Sequence, residues 1–442
     1  MRSQGGGSSQ YRAYRDEPDN AESVRARRRE AGGSLTTGPS TPRAAAAALV
    51  RRVQAATPPG RDRATDALRA FAILGVVLGH WLVTALITDS GTLHGASPLQ
   101  RMPQLAPISW LFQTLAVFFL VGGEVAARSH AAARARGTAH HHWLHARLGR
   151  LFRPVAAVLA VWTVATAAML AAGVGLDTVH TLVKLVLSPL WFLLVFAALT
   201  AATPLIARLH PAWPCAVVVL VDALRFGLDA PGWLGWLNLP AGWLVPYCLG
   251  AARARGAAHR RTTGWALLLG GATATAALVL CAGYPASMVG VPGAAVSNLN
   301  PPTLAAVTFG LAQCGAALLL RAPLNRALRR PGAWTAVALL NLSAMTVYLW
   351  HQTAMMAVTA TGWFLAGPLP GLHTLPDGPA WILARLAWLP VFAGALLVCW
   401  AAFAAYEHRR PRARDRHGAD PEGTGPVADE GNPARPAVLP HA

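Results

Sequence analysis

Apolar runs of membrane-spanning length recur along this chain, and the connections between them are alternately rich in arginine and nearly free of it. A bilayer core takes roughly 20 apolar residues per helix, and only helices or closed barrels satisfy their backbone there, so few folds remain open. Windows that fit fall at 66–88, 106–127, 151–173, 182–206, 213–227, 236–252, 264–284, 303–320, 335–360 and 381–405. They predict an all-α integral membrane protein with about ten transmembrane helices in one bundle. The fifth and sixth windows are the least regular, because Asp222 and Arg225 interrupt one and Pro240 and Pro246 the other.

The arginines provide an independent reading of the same count. One set of connections holds the N-terminal tail, the stretch from Arg128 to Arg153, Arg208, the run from Arg253 to Arg261, the loop from Arg321 to Arg330, and the C-terminal tail. The other set, at 89–105, 174–181, 228–235, 285–302 and 361–380, contains Arg101 alone. Positive charge collects on the cytoplasmic side of a membrane protein, so both termini are expected there. Trp110, Trp143, Trp213, Trp233, Trp334, Trp363 and Trp381 fall near the predicted span ends, where an interfacial belt belongs.

Composition agrees: 54% of the 442 residues are hydrophobic and 13% charged. A net charge of +19 invites a nucleic-acid partner, but its confinement to tails and alternate loops favours membrane anchoring, and no nucleic-acid binding is expected. All five cysteines lie in or beside apolar runs, which implies neither a disulfide framework nor a zinc site. Residues 1–62 and 406–442 are polar, Pro-rich or Gly-rich and read as disordered cytoplasmic tails around a transmembrane domain at 63–405. The apolar stretch 44–50, boxed by Arg43 and Arg51, is too short for a span or a signal-peptide core.

Ionisable side chains inside spans are expensive and mark candidate sites. Arg69 and His80 share the first helix, eleven residues apart, which is about three turns and so one face. Their separation along the axis is roughly 16 Å, with His80 deep in the membrane and Arg69 near the headgroups. A neutral His80 can act as a general base towards a hydroxyl; a histidine that only packs helices is the competing role. Asp222 and Arg225 are expected to neutralise each other. His140, His141, His142 and His145 have metal-like spacing but sit in a basic loop without carboxylates or cysteines, so no metal is expected.

The stretch DALRAFAILGVVLGHW resembles the opening helix of the acyltransferase-3 family, in which an Arg or Lys precedes a His by the spacing of Arg69 and His80. LAVFFLVGGEVAARS is similar to that family's second helix, and NLSAMTVYLWHQ to its late YL-x-H helix; the resemblance covers roughly 63–405. It implies transfer of an acyl group, usually acetyl, from a cytoplasmic acyl-CoA (acetyl-CoA) to a hydroxyl-bearing acceptor: a glycan, a lipid-linked sugar or a small natural product. His80 is then the catalytic histidine and Arg69 its motif partner. The family's Arg-x-x-Arg element, associated with the coenzyme donor, is matched twice in HARLGRLFRP, by Arg147 with Arg150 and by Arg150 with Arg153. Guanidinium groups suit phosphates, although topology alone also places arginines here.

Other residues are weighed beside these. Glu124 departs from the family pattern; it either orients His80 or, as its i,i+4 spacing favours, pairs with Arg128. Tyr348 and His351 are candidates to line the site, as are Ser297 and Asn298 in the external stretch SNLNPPT. A multi-pass transporter is the rival function, weakened by the absence of internally related halves; a flippase of acylated lipid intermediates is a stronger rival, since the acyl group already has to cross the bilayer. No G-x-S-x-G hydrolase elbow occurs. Arginine over lysine, with abundant alanine and glycine, suggests a GC-rich bacterial genome and hence the plasma membrane.

Overall fold

The computed structural model describes residues 41–408 except 90, 91, 258 and 259. The disorder expected of 1–40 and 409–442 lies outside the described residues. Helix α1 (Pro42–Ala55) corrects the reading of 1–62 as one tail: Thr41 caps it by accepting from the Ala44 amide, and Pro42 starts it. It is fastened to the domain where Trp334 donates to Thr57 Oγ1 at 2.8 Å.

Beside short helical turns, the remaining helices among the described residues are α2 (Arg63–Val83), α3 (Leu115–Ala135), α4 (His140–Ala171), α5 (Leu176–Leu187), α6 (Leu190–Ala201), α7 (Ala212–Asp222), α8 (Asn238–Ala254), α9 (Arg261–Cys281), α10 (Leu304–Ala327), α11 (Pro331–Leu342), α12 (Ala344–Ala366) and α13 (Pro379–His408). Among the described residues seven helical stretches are long and apolar enough to cross a membrane: α2, α3, α4, α5 with α6, α9, α10 and α13. The pair α11 and α12, bent by 72°, makes an eighth if counted as one span. Seven or eight of the ten expected spans are thus met among the described residues. The fifth and sixth windows fall on α7, 11 residues long, and α8, 17 residues long, neither of which is among these stretches.

Two further departures follow from local chemistry. The connection after α2 contains an antiparallel hairpin, β1 (Ala85–Asp89) with β2 (Thr92–Ala96), in the register Ala85 to Ala96 and Ile87 to His94, so the chain is not wholly α. And α4 starts at His140, eleven residues before the predicted span, so the histidine run and the three candidate donor arginines lie on a helix and not in a flexible loop.

Position in the bundle follows burial. In the apolar stretch of α3, 67% of residues are buried, in α2 56% and in α10 50%, against 17% in each of α4, α9 and α13, whose exposed leucines suit lipid. Close approach at the centre depends on glycine: a Cβ at Gly123 would collide with the Tyr247 backbone, and one at Gly250 with the backbone of Leu120 and Glu124, so α3 and α8 touch main chain to main chain. Phe119 and Trp243 stack at 5.1 Å beside this crossing. The tryptophans divide: Trp213 and Trp233 are exposed, whereas Trp143, Trp334 and Trp381 are buried because each indole N–H has a partner inside, Ser129, Thr57 and the Thr374 carbonyl.

Candidate active site

Helix α2 delivers His80 near its C-terminal end, and α12 delivers His351 eight residues after the break at Ser343. The two rings lie 5.1 Å apart between centroids, tilted by 44°. Trp81 ties the helices together by donating from its indole to the His351 carbonyl at 3.0 Å. His80 is half-buried, whereas His351 and Gln352 are almost fully enclosed. Deep ionisable groups in a bundle are functional candidates, and here two converge.

Hydrogen bonding sets how each ring can act. His351 Nδ1 is 2.5 Å from the Tyr348 carbonyl, an acceptor only, so Nδ1 carries the proton and the Nε2 lone pair is left over. That Nε2 is buried without a hydrogen-bond partner among the described residues. His80 Nδ1 is 3.0 Å from the Gln352 amide. Amide nitrogen and oxygen exchange places by a half-turn of the side chain: the NH2 donates to an unprotonated Nδ1, the oxygen accepts from Nδ1–H and frees Nε2 as a base. Gln352 Oε1 is likewise buried without a partner. Buried polar atoms are nearly always paired, so orphans on the adjacent residues His351 and Gln352, beside His80, leave capacity for a polar ligand. Tyr348 supports the cluster from below; its hydroxyl donates at 2.5 Å to the Pro189 carbonyl, which the break between α5 and α6 leaves available.

Arg385 was not singled out from sequence, although it is the lone charge in the last apolar window. Its guanidinium, 1% exposed, donates to the Trp81 carbonyl at 2.6 Å, the Thr84 carbonyl at 2.6 Å and the Gly371 carbonyl at 3.0 Å. Two of these close the C-terminal end of α2, where helix carbonyls have no partner of their own. The arginine thereby holds the turn that carries His80.

The other end of α2 is a charge lattice. Glu124, fully buried, pairs with Arg128 at 2.6 Å, with Arg321 at 3.2 Å and with Arg253 at 3.4 Å. Arg321 also reaches Asp62 at 2.5 Å and Thr65 at 2.9 Å. The i,i+4 pairing of Glu124 with Arg128 is present, and the carboxylate joins two further helices. Burial pulls the Asp62 carboxyl upward, but Arg321 and hydrogen bonds from Thr65 and Arg128 outweigh it and hold it below its ordinary value.

The other candidates sit as follows. Arg69 donates to Asn341 Oδ1 at 2.5 Å and lies 3.8 Å from Asp66, joining α2 to the end of α11. Arg147 donates to Ser129 Oγ at 3.0 Å, lies over the Trp143 ring, and is within electrostatic range of Arg69, Arg150 and Tyr247. Arg150 is exposed and donates to its own helix at the Ala146 carbonyl, and Arg153 is exposed one turn further. Ser297 and Asn298 bond only within 285–303 among the described residues: Asn298 donates to the Pro285 and Ser287 carbonyls and accepts from Thr303. Asp222 lies within the field of Arg225, as expected, but its direct partners are others. It accepts from Asn238, Tyr284 and the Leu304 amide, while Arg225 lies over Phe226, and no ion pair joins the two among the described residues. Among those residues no group of three or more His, Cys, Asp or Glu could hold a metal.

Residues 62–404 match the family model Acyl_transf_3, described as an acyltransferase domain. No curated protein and no solved structure gives a significant match to the chain.

Proposed function

The chain belongs to the acyltransferase-3 family, and from that premise we propose that it moves an acetyl or other acyl group from acyl-coenzyme A to a hydroxyl of a glycan, a lipid-linked sugar or a small natural product. His80 is the general base in this reading. The observation that carries it is the unfilled hydrogen-bonding capacity between α2 and α12: two imidazoles 5.1 Å apart, beside a glutamine that serves either tautomer of His80.

The acceptor O–H gives its proton to the imidazole as its oxygen attacks the thioester carbonyl; the C–S bond breaks, and the imidazolium protonates the departing thiolate to release coenzyme A. Arg147, Arg150 and Arg153 supply guanidinium groups for the donor's phosphates. Arg147 is the arginine of this set turned towards the interior, since Tyr247 and Arg69 lie in its field. The arginine-rich helix ends are assigned to the cytoplasm and the protein to the plasma membrane.

A second reading gives His351 the base, because its Nε2 already carries a free lone pair fixed by the Tyr348 carbonyl. The deciding experiment measures acyl release from labelled acetyl-coenzyme A by membranes containing wild type, His80→Ala, His351→Ala or Arg150→Ala. Collapse with His80→Ala and a lesser loss with His351→Ala is the expected pattern; the reverse moves the base to His351. Wild-type activity retained by both histidine variants overturns the mechanism. If wild type neither turns over nor binds the labelled donor, the transporter or flippase reading takes its place.

A further inference from the structure

Between the arginine-rich ends of α2, α8, α9 and α10 lies a cavity of about 710 Å3 whose wall includes Arg61, Asp62, Arg253, Arg261, Arg321 and Arg326 but neither histidine of the candidate active site. Its depth is set by helix ends: α8 stops at Ala254, α9 begins at Arg261 and α10 stops at Ala327, where apolar spans give way to the headgroup layer.

The arginines are not equivalent. Arg321 and Arg253 are committed to Glu124, Arg321 also to Asp62, and Arg61 to Asp66 at 2.6 Å. Arg261 and Arg326, from α9 and α10, have no side-chain hydrogen bond or ion pair among the described residues. Asp62, the acidic residue in the wall, is already occupied by Arg321 and Arg128. Both guanidinium groups are exposed and lack a counter-charge among the described residues, so an anion held between them on the cavity wall gains from both. Planar forks of N–H donors match phosphate oxygens. Beside the arginines the wall continues along α10 as Leu318 and Leu319, so the ligand that satisfies both parts carries a phosphate next to hydrocarbon.

We propose that this cavity binds the phosphate group of an acidic membrane phospholipid, with Arg261 and Arg326 as its principal ligands and the Glu124 lattice as its rigid back wall. Basic pockets between transmembrane helices on the cytoplasmic side are the recurrent form of such sites. A soluble phosphate ester offers the same chemistry without the tail, and the experiment separates the two sources.

The test is native mass spectrometry of the full chain in detergent, titrated with phosphatidylglycerol, phosphatidylcholine or adenosine 3′,5′-bisphosphate. Wild type is compared with Arg261→Gln/Arg326→Gln and with Arg329→Gln/Arg330→Gln, whose exposed arginines follow the end of α10 but lie outside the cavity wall. Wild type is expected to take up phosphatidylglycerol at least about tenfold more tightly than phosphatidylcholine, and the cavity variant to lose that preference while the control variant keeps it. Binding of the bisphosphate in place of lipid, lost in the cavity variant alone, keeps the phosphate site and assigns it to a soluble source. Equal losses in both variants, or no loss in either, overturn the proposal. If the double variant fails to fold, Arg326→Gln alone decides by the same comparison with the control pair.

Discussion

Two buried polar clusters sit on the same helix about 27 Å apart, and they are built on opposite terms. At the Asp62 end of α2 the buried charges have counter-charges: Glu124 meets three arginines, its Oε1 and Arg253 Nε through ion pairs alone, and Arg321 spans two carboxylates and a hydroxyl. At the His80 end the answers stop short, with His351 Nε2 and Gln352 Oε1 enclosed and unpartnered. Saturated polar networks rigidify a bundle; unsaturated ones keep capacity for something that arrives later. Under the proposed function the contrast gives stability to the first cluster and chemistry to the second, and variants on either side can break it.

The largest expected effect is on turnover. His80→Gln should lower acyl transfer about 10²- to 10⁴-fold, the usual contribution of a positioned general base, with its thermal unfolding midpoint in detergent close to wild type. A variant that unfolds early and transfers normally would erase the distinction between the clusters. Glu124→Ala is the mirror experiment: it strands Arg253 and Arg321 without their buried counter-charge and should destabilise the fold by about 3–5 kcal/mol. Whatever fraction remains folded should turn over at a rate near wild type, read by normalising activity to correctly folded protein.

Arg385→Leu comes next, because it removes donors from three buried carbonyls, two of them on the turn holding His80. A loss of about 2 kcal/mol in stability accompanied by a fall in turnover is expected, since this residue serves both ends of the comparison. Gln352→Leu is subtler: the base remains, but its tautomer loses its partner. Turnover should fall about tenfold and the pH profile shift, with Gln352→Glu restoring part of the rate. An unaltered pH profile in Gln352→Leu would reduce the glutamine to packing.

One pair of the charge lattice and little of the histidine centre's support could be read from the chain. Arg69 and His80 stand eleven apart on one helix, and Glu124 precedes Arg128 by four, so local periodicity exposes them. Arg253 and Arg321 lie far along the chain from Glu124, and nothing local marks them as its partners. The alternation of the arginines was plain, but which windows make full spans was not, because hydropathy does not register that Asp222 turns inward at the end of α7 or that the helix carrying His351 bends sharply at Ser343. Arg385 did leave a signal, a single charge in a long apolar run. Gln352 left none beyond standing next to His351, since a glutamine's role depends on what faces it.

The smallest effect tests the lattice by pH. The Asp62 carboxyl is held below its ordinary value of 3.8 in the folded chain. Below that value the unfolded chain takes up the proton first, so unfolding is favoured as pH falls, and the contribution disappears once the folded carboxyl is protonated as well. The stability Asp62 supplies is therefore complete above about pH 5 and lost on acidification through the folded value. Asp62→Asn should unfold more easily than wild type at pH 6, and the gap should narrow at pH 3.5, measured as unfolding midpoints in the same detergent. Arg321 retains Glu124 and Thr65 in that variant, which keeps the loss well below that of Glu124→Ala. A gap independent of pH would mean that Asp62 acts through its caps on α2, where Thr65 binds it, and that the lattice is centred on Glu124 alone.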